Sequence, residues 1–140
     1  MKGDHNMFSI YKVGGIILNS KKLLVVRKKT LDNRSEFIIP GGKSEKGEND
    51  EDTLKRELKE ELNVNLLDMN YFDSYSDIAV FENIPISMNV YTCDIDGSII
   101  PMNEIKEYIW IDRNYEQNNI QLGSILSKYI VPKLIILNLM

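Results

Sequence analysis

Residues 42–64 read GKSEKGENDEDTLKRELKEELNV, and the acids of this stretch carry most of what the chain says about itself. From Asn49 to Leu62 the pattern is helical. Asn49 suits the N-cap, Asp50, Glu51 and Asp52 fill a first turn where the helix dipole favours anions, and Asn63 suits a left-handed end. At about 100° per residue, Glu61 lies about +40° and Glu60 about −60° from Glu57, so the three share one face. Leu54, Leu58 and Leu62 form an adjoining apolar stripe that faces a core, while Lys55 and Lys59 point away from the glutamates. The bland reading is a solvated acidic face, the usual place for a charge run. Against it stands the Glu57–Glu61 pair, whose repulsion costs about 0.2–0.5 kcal/mol on an open helix and is not relieved by an interleaved lysine. Like charges at the edge of a core are most simply explained by a divalent cation. Oxygen ligands with no His or Cys among them suit Mg²⁺ or Mn²⁺. The same repulsion predicts that Glu57→Gln or Glu61→Gln leaves the metal-free fold at least as stable.

Outward from this helix, Ile10–Leu18 and Leu23–Arg27 are apolar, β-branched runs joined by Asn19-Ser20-Lys21-Lys22, which reads as a hairpin. Phe37-Ile38-Ile39 reads as a short strand ended by the breaker cluster Pro40-Gly41-Gly42. Three more strands are predicted at Tyr71–Phe81, Ile86–Cys93 and Tyr108–Ile111. The stretch Gln121–Leu139 reads as helix interrupted near Pro132. Strands surround one central helix and precede a terminal one, an α/β (α+β) pattern unlike the regular alternation of a doubly wound sheet.

With 140 residues, 43% of them hydrophobic, and no repeat or linker, the chain is expected to form a single domain, 1–140. Seventeen basic against 21 acidic residues give a charge of −4, which argues against polymeric nucleic acid and a membrane surface as partners. Cys93 stands alone, so no internal disulfide or Cys-rich metal site forms. Met1–Asn6 lacks the apolar stretch of a signal peptide, and the apolar run Leu134–Met140 falls far short of the about 20 residues a membrane span needs. A cytoplasmic protein is expected.

Two phosphate- and calcium-binding patterns fail on inspection. Gly41-Gly42-Lys43-Ser44 ends like a Walker A loop, but position 37 is Phe where that loop needs Gly. An EF-hand begun at Asp32 would need Glu at Lys43.

The spacing Gly42, Glu48, Arg56-Glu57-Leu58, Glu60-Glu61 and Val64 resembles the signature of the Nudix hydrolases (MutT-like pyrophosphohydrolases), with Asn63 where the family has Gly. The flanks agree: Pro40-Gly41-Gly42 follows a strand, and Gly47-Glu48 leads into the helix. Leu24-Val25-Val26-Arg27 resembles the family's second strand. Gly97, Glu104-Ile105 and Trp110 resemble a segment that often carries a further metal-binding or catalytic Glu.

The resemblance implies an α/β/α sandwich with a mixed β-sheet and a loop–helix–loop over 42–64. It implies Mg²⁺- or Mn²⁺-dependent hydrolysis of the pyrophosphate linkage in a nucleoside diphosphate joined to another moiety: a nucleoside triphosphate, ADP-ribose or a similar derivative. By position Glu57, Glu60 and Glu61 would be metal ligands, with Glu48 nearby. Arg56 would orient a box glutamate, and Gly41 and Gly42 would let the backbone pass close to metal and phosphates. The general base is left among Glu61, Glu60 and Glu104, in that order. Arg27 is a candidate phosphate contact, against an ordinary solvent-facing strand end. Phe37 and Trp110 read as core, Tyr71, Phe72, Tyr75 and Phe81 as a sheet face before a base pocket, and His5 as a terminal residue without a role. A non-catalytic Nudix-like nucleotide sensor is the alternative. The C-terminal apolar run packs on its own sheet or leaves an interface patch, giving a monomer or a homodimer.

Overall fold

The computed structural model describes residues 10–30, 36–78 and 84–140. His5, Asp32 and Phe81 lie outside them. Seven strands and two main helical segments follow in the order β1 (Ile10–Ile16), β2 (Leu18–Asn19), β3 (Lys22–Lys28), β4 (Gly41–Lys43), α1 (Asp50–Leu62), β5 (Asn65–Ile78), β6 (Pro85–Asp96) and β7 (Ile105–Ile111). A 3₁₀ turn (Tyr115–Asn118), a π turn (Leu126–Ile130) and α2 (Val131–Ile136) complete the chain.

One sheet has the order β4-β1-β6-β5 and is mixed, because β1 and β6 run parallel while the other pairs are antiparallel. The second is antiparallel, β2-β3-β7. The alternation of β3 shows how the layers form. Leu24 and Val26 join Leu54, Leu58 and Leu62 of α1 in one core, whereas Leu23 and Val25 join Ile130, Val131 and Leu134 in the other. A strand covered on both faces reads as an unbroken apolar run, and Leu23–Val26 is one. The result is the expected sandwich, with α1 on one side and the C-terminal helical segment on the other.

Several strand expectations need correction. Ile10–Leu18 does not form a hairpin with Leu23–Arg27: β1 pairs with β4 and β6 in the first sheet, and only Leu18–Asn19 turns back onto β3. The tight turn between them puts Ser20 and Lys21 in the left-handed region, φ 51° and 63°, the geometry of a two-residue hairpin loop. Phe37 and Ile38 make only isolated bridges, to Leu122 and Val26. The supposed breaker Gly41-Gly42 is itself strand β4, with Gly41 opposite Gly14. β5 begins at Asn65 and β7 at Ile105, earlier than their apolar runs suggested; in β5 two bulges interrupt the alternation.

The helix ends follow the sequence. Asn49 and Asp52 close a capping box, and Asn63 ends α1 in the left-handed conformation at φ 59°. Pro132 stands at the start of α2 after the π turn, where its missing N–H breaks no α-type ladder. Leu134 and Met140 are buried, but Ile136 is 83% exposed and Leu137 and Leu139 also face outward. No helix among the described residues is long and apolar enough to cross a membrane.

Candidate functional site

The buried face of α1 includes Glu57 and Glu61, the latter only 1% exposed. A loop running from β6 to β7 docks on the end of this helix. Met102 N–H donates to Glu61 O at 2.9 Å, Ile100 N–H to Leu62 O at 2.9 Å, and Asn103 Nδ2 to Glu60 O at 2.7 Å. These bonds satisfy carbonyls that the last helical turn leaves orphaned. They also bring Glu104 to the helix, so that ligand oxygens of Glu57, Glu61 and Glu104 lie within 4.8 Å of one another.

Glu61 Oε1 accepts the Gly41 N–H at 3.0 Å, whereas its buried Oε2 has no hydrogen-bond partner among the described residues. Burial pushes this carboxyl up to about 8, against the pull of the Gly41 N–H and of Lys28. Burial likewise raises Glu57, although Arg56 opposes it. Two glycines make room here. A Cβ on Gly41 would sit 2.1 Å from Val13 O, and its φ of 143° already demands glycine. A Cβ on Gly42 would come within 2.6 Å of the Glu57 carboxyl carbon. The donor set is all carboxylate oxygen, with one buried lone pair unanswered. That chemistry suits a hard divalent cation.

Glu48 and Glu60 are elsewhere. Both Glu48 oxygens are held by Arg56, at 2.7 Å from Nε and 2.9 Å from Nη2. Arg56 also reaches Glu57 at 2.8 Å, Glu60 at 3.3 Å and the Lys43 carbonyl at 3.0 Å. The guanidinium beside it, with the Glu45 N–H, holds the Glu48 carboxyl down at about 2. Buried Thr53 ties the same loop by bonding Ser44, Glu48 and Asn49 O. Arg56 therefore gives Glu57 a cation partner, which opposes the stabilisation expected for Glu57→Gln, although burial still outweighs it and raises that carboxyl. Glu61 has no such partner.

Arg27 lies over the Phe37 ring at 5.2 Å and pairs with Glu107, and its buried Nε has no hydrogen-bond partner among the described residues. Its neighbour Lys28 instead approaches Glu104 at 3.6 Å and lines a cleft of about 360 Å³ with Lys12, Gly41 and Gly42. Sequence reasoning passed over Lys28, because a register shift at Arg27/Lys28 decides which of two adjacent cations faces the cleft. Asp50 was also missed as more than a dipole charge. Tyr11, Tyr91 and Asn89 all donate to it, pinning the start of α1 to β1 and β6. Trp110 and Phe37 are packing residues as expected, and Tyr71, Phe72 and Tyr75 lie on β5.

A glycine-lined cleft, two carboxylates of a capped helix joined by a third from the β6–β7 loop, and a two-core sandwich together form a scaffold whose oxygen donors suit a cation. The NUDIX domain model matches residues 10–128, and the chain belongs to that family. It is similar to an 8-oxo-dGTP diphosphatase of Buchnera aphidicola, 45% identical over 56 residues; the match takes in 40% of this chain and 44% of that protein, under half its length. Among solved structures, a NUDIX hydrolase from Nitrosomonas europaea superposes with a TM-score of 0.75 at 15% identity, over 87% of this chain and 86% of that one. A structure from work on MutT of Aliivibrio salmonicida and Vibrio cholerae gives 0.71 at 23%, over 92% and 98%. At these identities the structural likeness establishes the fold.

Proposed function

We infer that the protein is a Mg²⁺- or Mn²⁺-dependent pyrophosphohydrolase of nucleoside diphosphates linked to a further group, working in the cytoplasm as a single domain. The observation that carries this reading is the convergence of Glu57, Glu61 and Glu104 beside Gly41 and Gly42, with a buried Glu61 oxygen that has no hydrogen-bond partner among the described residues. Glu57 and Glu61 are assigned to hold the metal ion. When bound, the ion supplies charge neutralisation at the phosphate oxygens and acidifies water.

The protein's own residues do the rest. Gly41 and Gly42 let substrate oxygens approach the backbone, and Lys28 and Lys12 bring positive charge to the same end of the cleft. Arg56 holds Glu57 in place while Glu48 fixes Arg56. Glu104, on the loop and more exposed, is assigned the proton of the attacking water, with Glu61 the second candidate. Glu60 is half exposed and turned to Arg56, which supports a supporting role for it and not a ligand's.

The activity of the Buchnera relative supports a nucleoside triphosphate such as 8-oxo-dGTP ahead of ADP-ribose. The sensor alternative finds no missing acid to support it. The test is chromatographic detection of the nucleotide products, with pyrophosphate or phosphate release for the triphosphates, from a panel of nucleoside triphosphates, ADP-ribose and dinucleoside polyphosphates, with and without Mg²⁺. Metal-dependent turnover of at least one is expected. No turnover of any would overturn the reading.

A further inference from the structure

We propose that Asn103 is a positioning residue of this site, whose side-chain amide fixes Glu104 against Glu57 and Glu61 by tying the β6–β7 loop to the last turn of α1. This deepens the reading above and rests on the assignment of the water's proton to Glu104. Three donors of the loop meet three successive carbonyls of the helix. Ile100 N–H donates to Leu62 O and Met102 N–H to Glu61 O, each at 2.9 Å, and Asn103 Nδ2 donates to Glu60 O at 2.7 Å. The third donor is a side chain, at the point where the main chain turns away from the helix. Ile105 N–H donates back to Met102 O at 3.0 Å, closing a tight turn with Asn103 and Glu104 at its centre. Asn103 has a φ of 54° there, a left-handed value that costs most side chains but that Asn tolerates. It thus has two separable properties, a backbone that makes the turn and an amide that reaches the helix.

What the amide fixes is Glu104. The main-chain oxygen of Glu104 accepts the Lys29 N–H at 2.8 Å, and its carboxylate lies 3.6 Å from Lys28 Nζ, so β3 holds the residue from one side. On the helix side, the rung next to Glu104 is that of Asn103. The acceptor carbonyls belong to Glu60 and Glu61, so the ladder sets Glu104 against the residue whose carboxylate it must meet. The outcome is the approach of Glu57, Glu61 and Glu104 oxygens to within 4.8 Å of one another. Asn103 and Glu104 are both exposed. Water can therefore replace the amide at Glu60 O, and the fold loses little without it. A proton acceptor is more demanding. It must stay within hydrogen-bond reach of the attacking water, and a displacement of about 1 Å can cost about 10²-fold in rate. A tie of small worth to stability thus has a large effect on turnover.

The experiment compares two variants of the full chain, using the triphosphate of the panel above that is turned over with Mg²⁺. Asn103→Gly keeps the left-handed backbone and removes the amide, whereas Asn103→Asp keeps the shape and turns the donor into an acceptor. Both are expected to lower kcat by about tenfold or more, with KM within about twofold. Mn²⁺ affinity by calorimetry is expected to stay within about threefold, because Glu57 and Glu61 remain on the helix. Glu104→Gln is itself expected to lose about 10²-fold or more, and adding Asn103→Gly to it should cost less than about twofold further, because the effect passes through Glu104. Amide exchange needs no turnover. Protection of the Lys29 N–H, bonded to Glu104 O, should fall about tenfold or more in Asn103→Gly, while the Val26 N–H, bonded to Ile38 O, keeps its protection. Unchanged kcat in both variants, or unchanged Lys29 protection, overturns the proposal. So does a further loss of about tenfold on top of Glu104→Gln, which would mark Asn103 as general support of the fold. A parallel loss of Mn²⁺ affinity overturns it too, by making the loop a holder of the ion. Unchanged turnover in Glu104→Gln would count against the assignment of Glu104 and take this proposal with it. Absence of hydrolysis would count against the enzyme reading, and the exchange result would still decide whether Asn103 holds Glu104.

Discussion

Helix α1 carries two sets of acidic partners with opposite surroundings. Around Arg56, Glu48 is paired through both oxygens and Glu60 through one, and the Glu48 carboxyl is held down at about 2 by that guanidinium. Across the helix, Glu57, Glu61 and Glu104 crowd together with Lys28 at 3.6 Å from Glu104 and a bare oxygen on Glu61. The first set is finished structure, each carboxylate hydrogen-bonded to the same guanidinium. The second is electrostatically incomplete. Identical side chains thus divide by what faces them, and Glu57, touching both sets, joins them.

The largest effect expected from breaking this contrast is on turnover. Glu61→Gln should lower kcat by about 10²–10⁴-fold, the range for loss of a proton-transfer or charge-organising group. Its melting temperature in EDTA should be unchanged or raised, because no cation is stranded. A fall in that temperature would show that Glu61 belongs with the hydrogen-bonded Arg56 set.

Arg56→Ala attacks the other side. It removes four acceptors' partner at once, so unfolding in urea should show a loss of about 1–3 kcal/mol, and Arg56→Lys should recover little because a lysine cannot bridge Glu48 bidentately. Stability equal to the unmutated protein would mean the cluster is ornamental.

The pH dependence separates the sets by sign. Glu61 titrates near 8 in the folded chain against 4.5 for an ordinary glutamate, so the folded state holds a proton that the unfolded state has released. Its contribution in EDTA is complete below about 4.5 and is lost as the pH rises through 8. Glu48 does the reverse, contributing above 4.5 and losing that contribution as the pH falls through about 2. Thermal unfolding in EDTA between these limits should therefore show a decline toward alkaline pH that flattens in Glu61→Gln. The same slope in both proteins would contradict the assignment.

The smallest effect belongs to Glu60→Gln. Glu60 is half exposed and, among the described residues, its carboxylate is bonded through Arg56 at 3.3 Å, so its loss should cost less than about tenfold in kcat/KM, below the range of a direct proton-transfer group. A loss matching that of Glu61→Gln would return Glu60 to the ligand set.

Much of this was legible in the chain itself. The caps at Asn49 and Asn63, the shared face of Glu57 and Glu61 and the glycines beside them follow from helix geometry and backbone freedom, which act over a few residues. What escaped depends on contacts between distant segments. β1 separates from β3 because it pairs with Ile86–Thr92, far along the chain. Helical spacing put Glu60 on the same face as Glu57, but Arg56 and the depth of burial divide them. Lys28 rather than Arg27 faces the cleft because of a one-residue irregularity that no periodicity announces. Asp77 meets Lys128 only after β5 docks on the C-terminal segment.

The most direct test of the central claim is a calorimetric titration of Mn²⁺ into the metal-free protein, repeated with Glu61→Gln. The account predicts saturable binding by the unmutated chain, with protons released as the ion displaces them from the raised carboxyls, and a loss of about 10-fold or more in affinity in the variant. Binding that is absent from both proteins, or equally strong in both, would contradict a cation site at Glu57, Glu61 and Glu104.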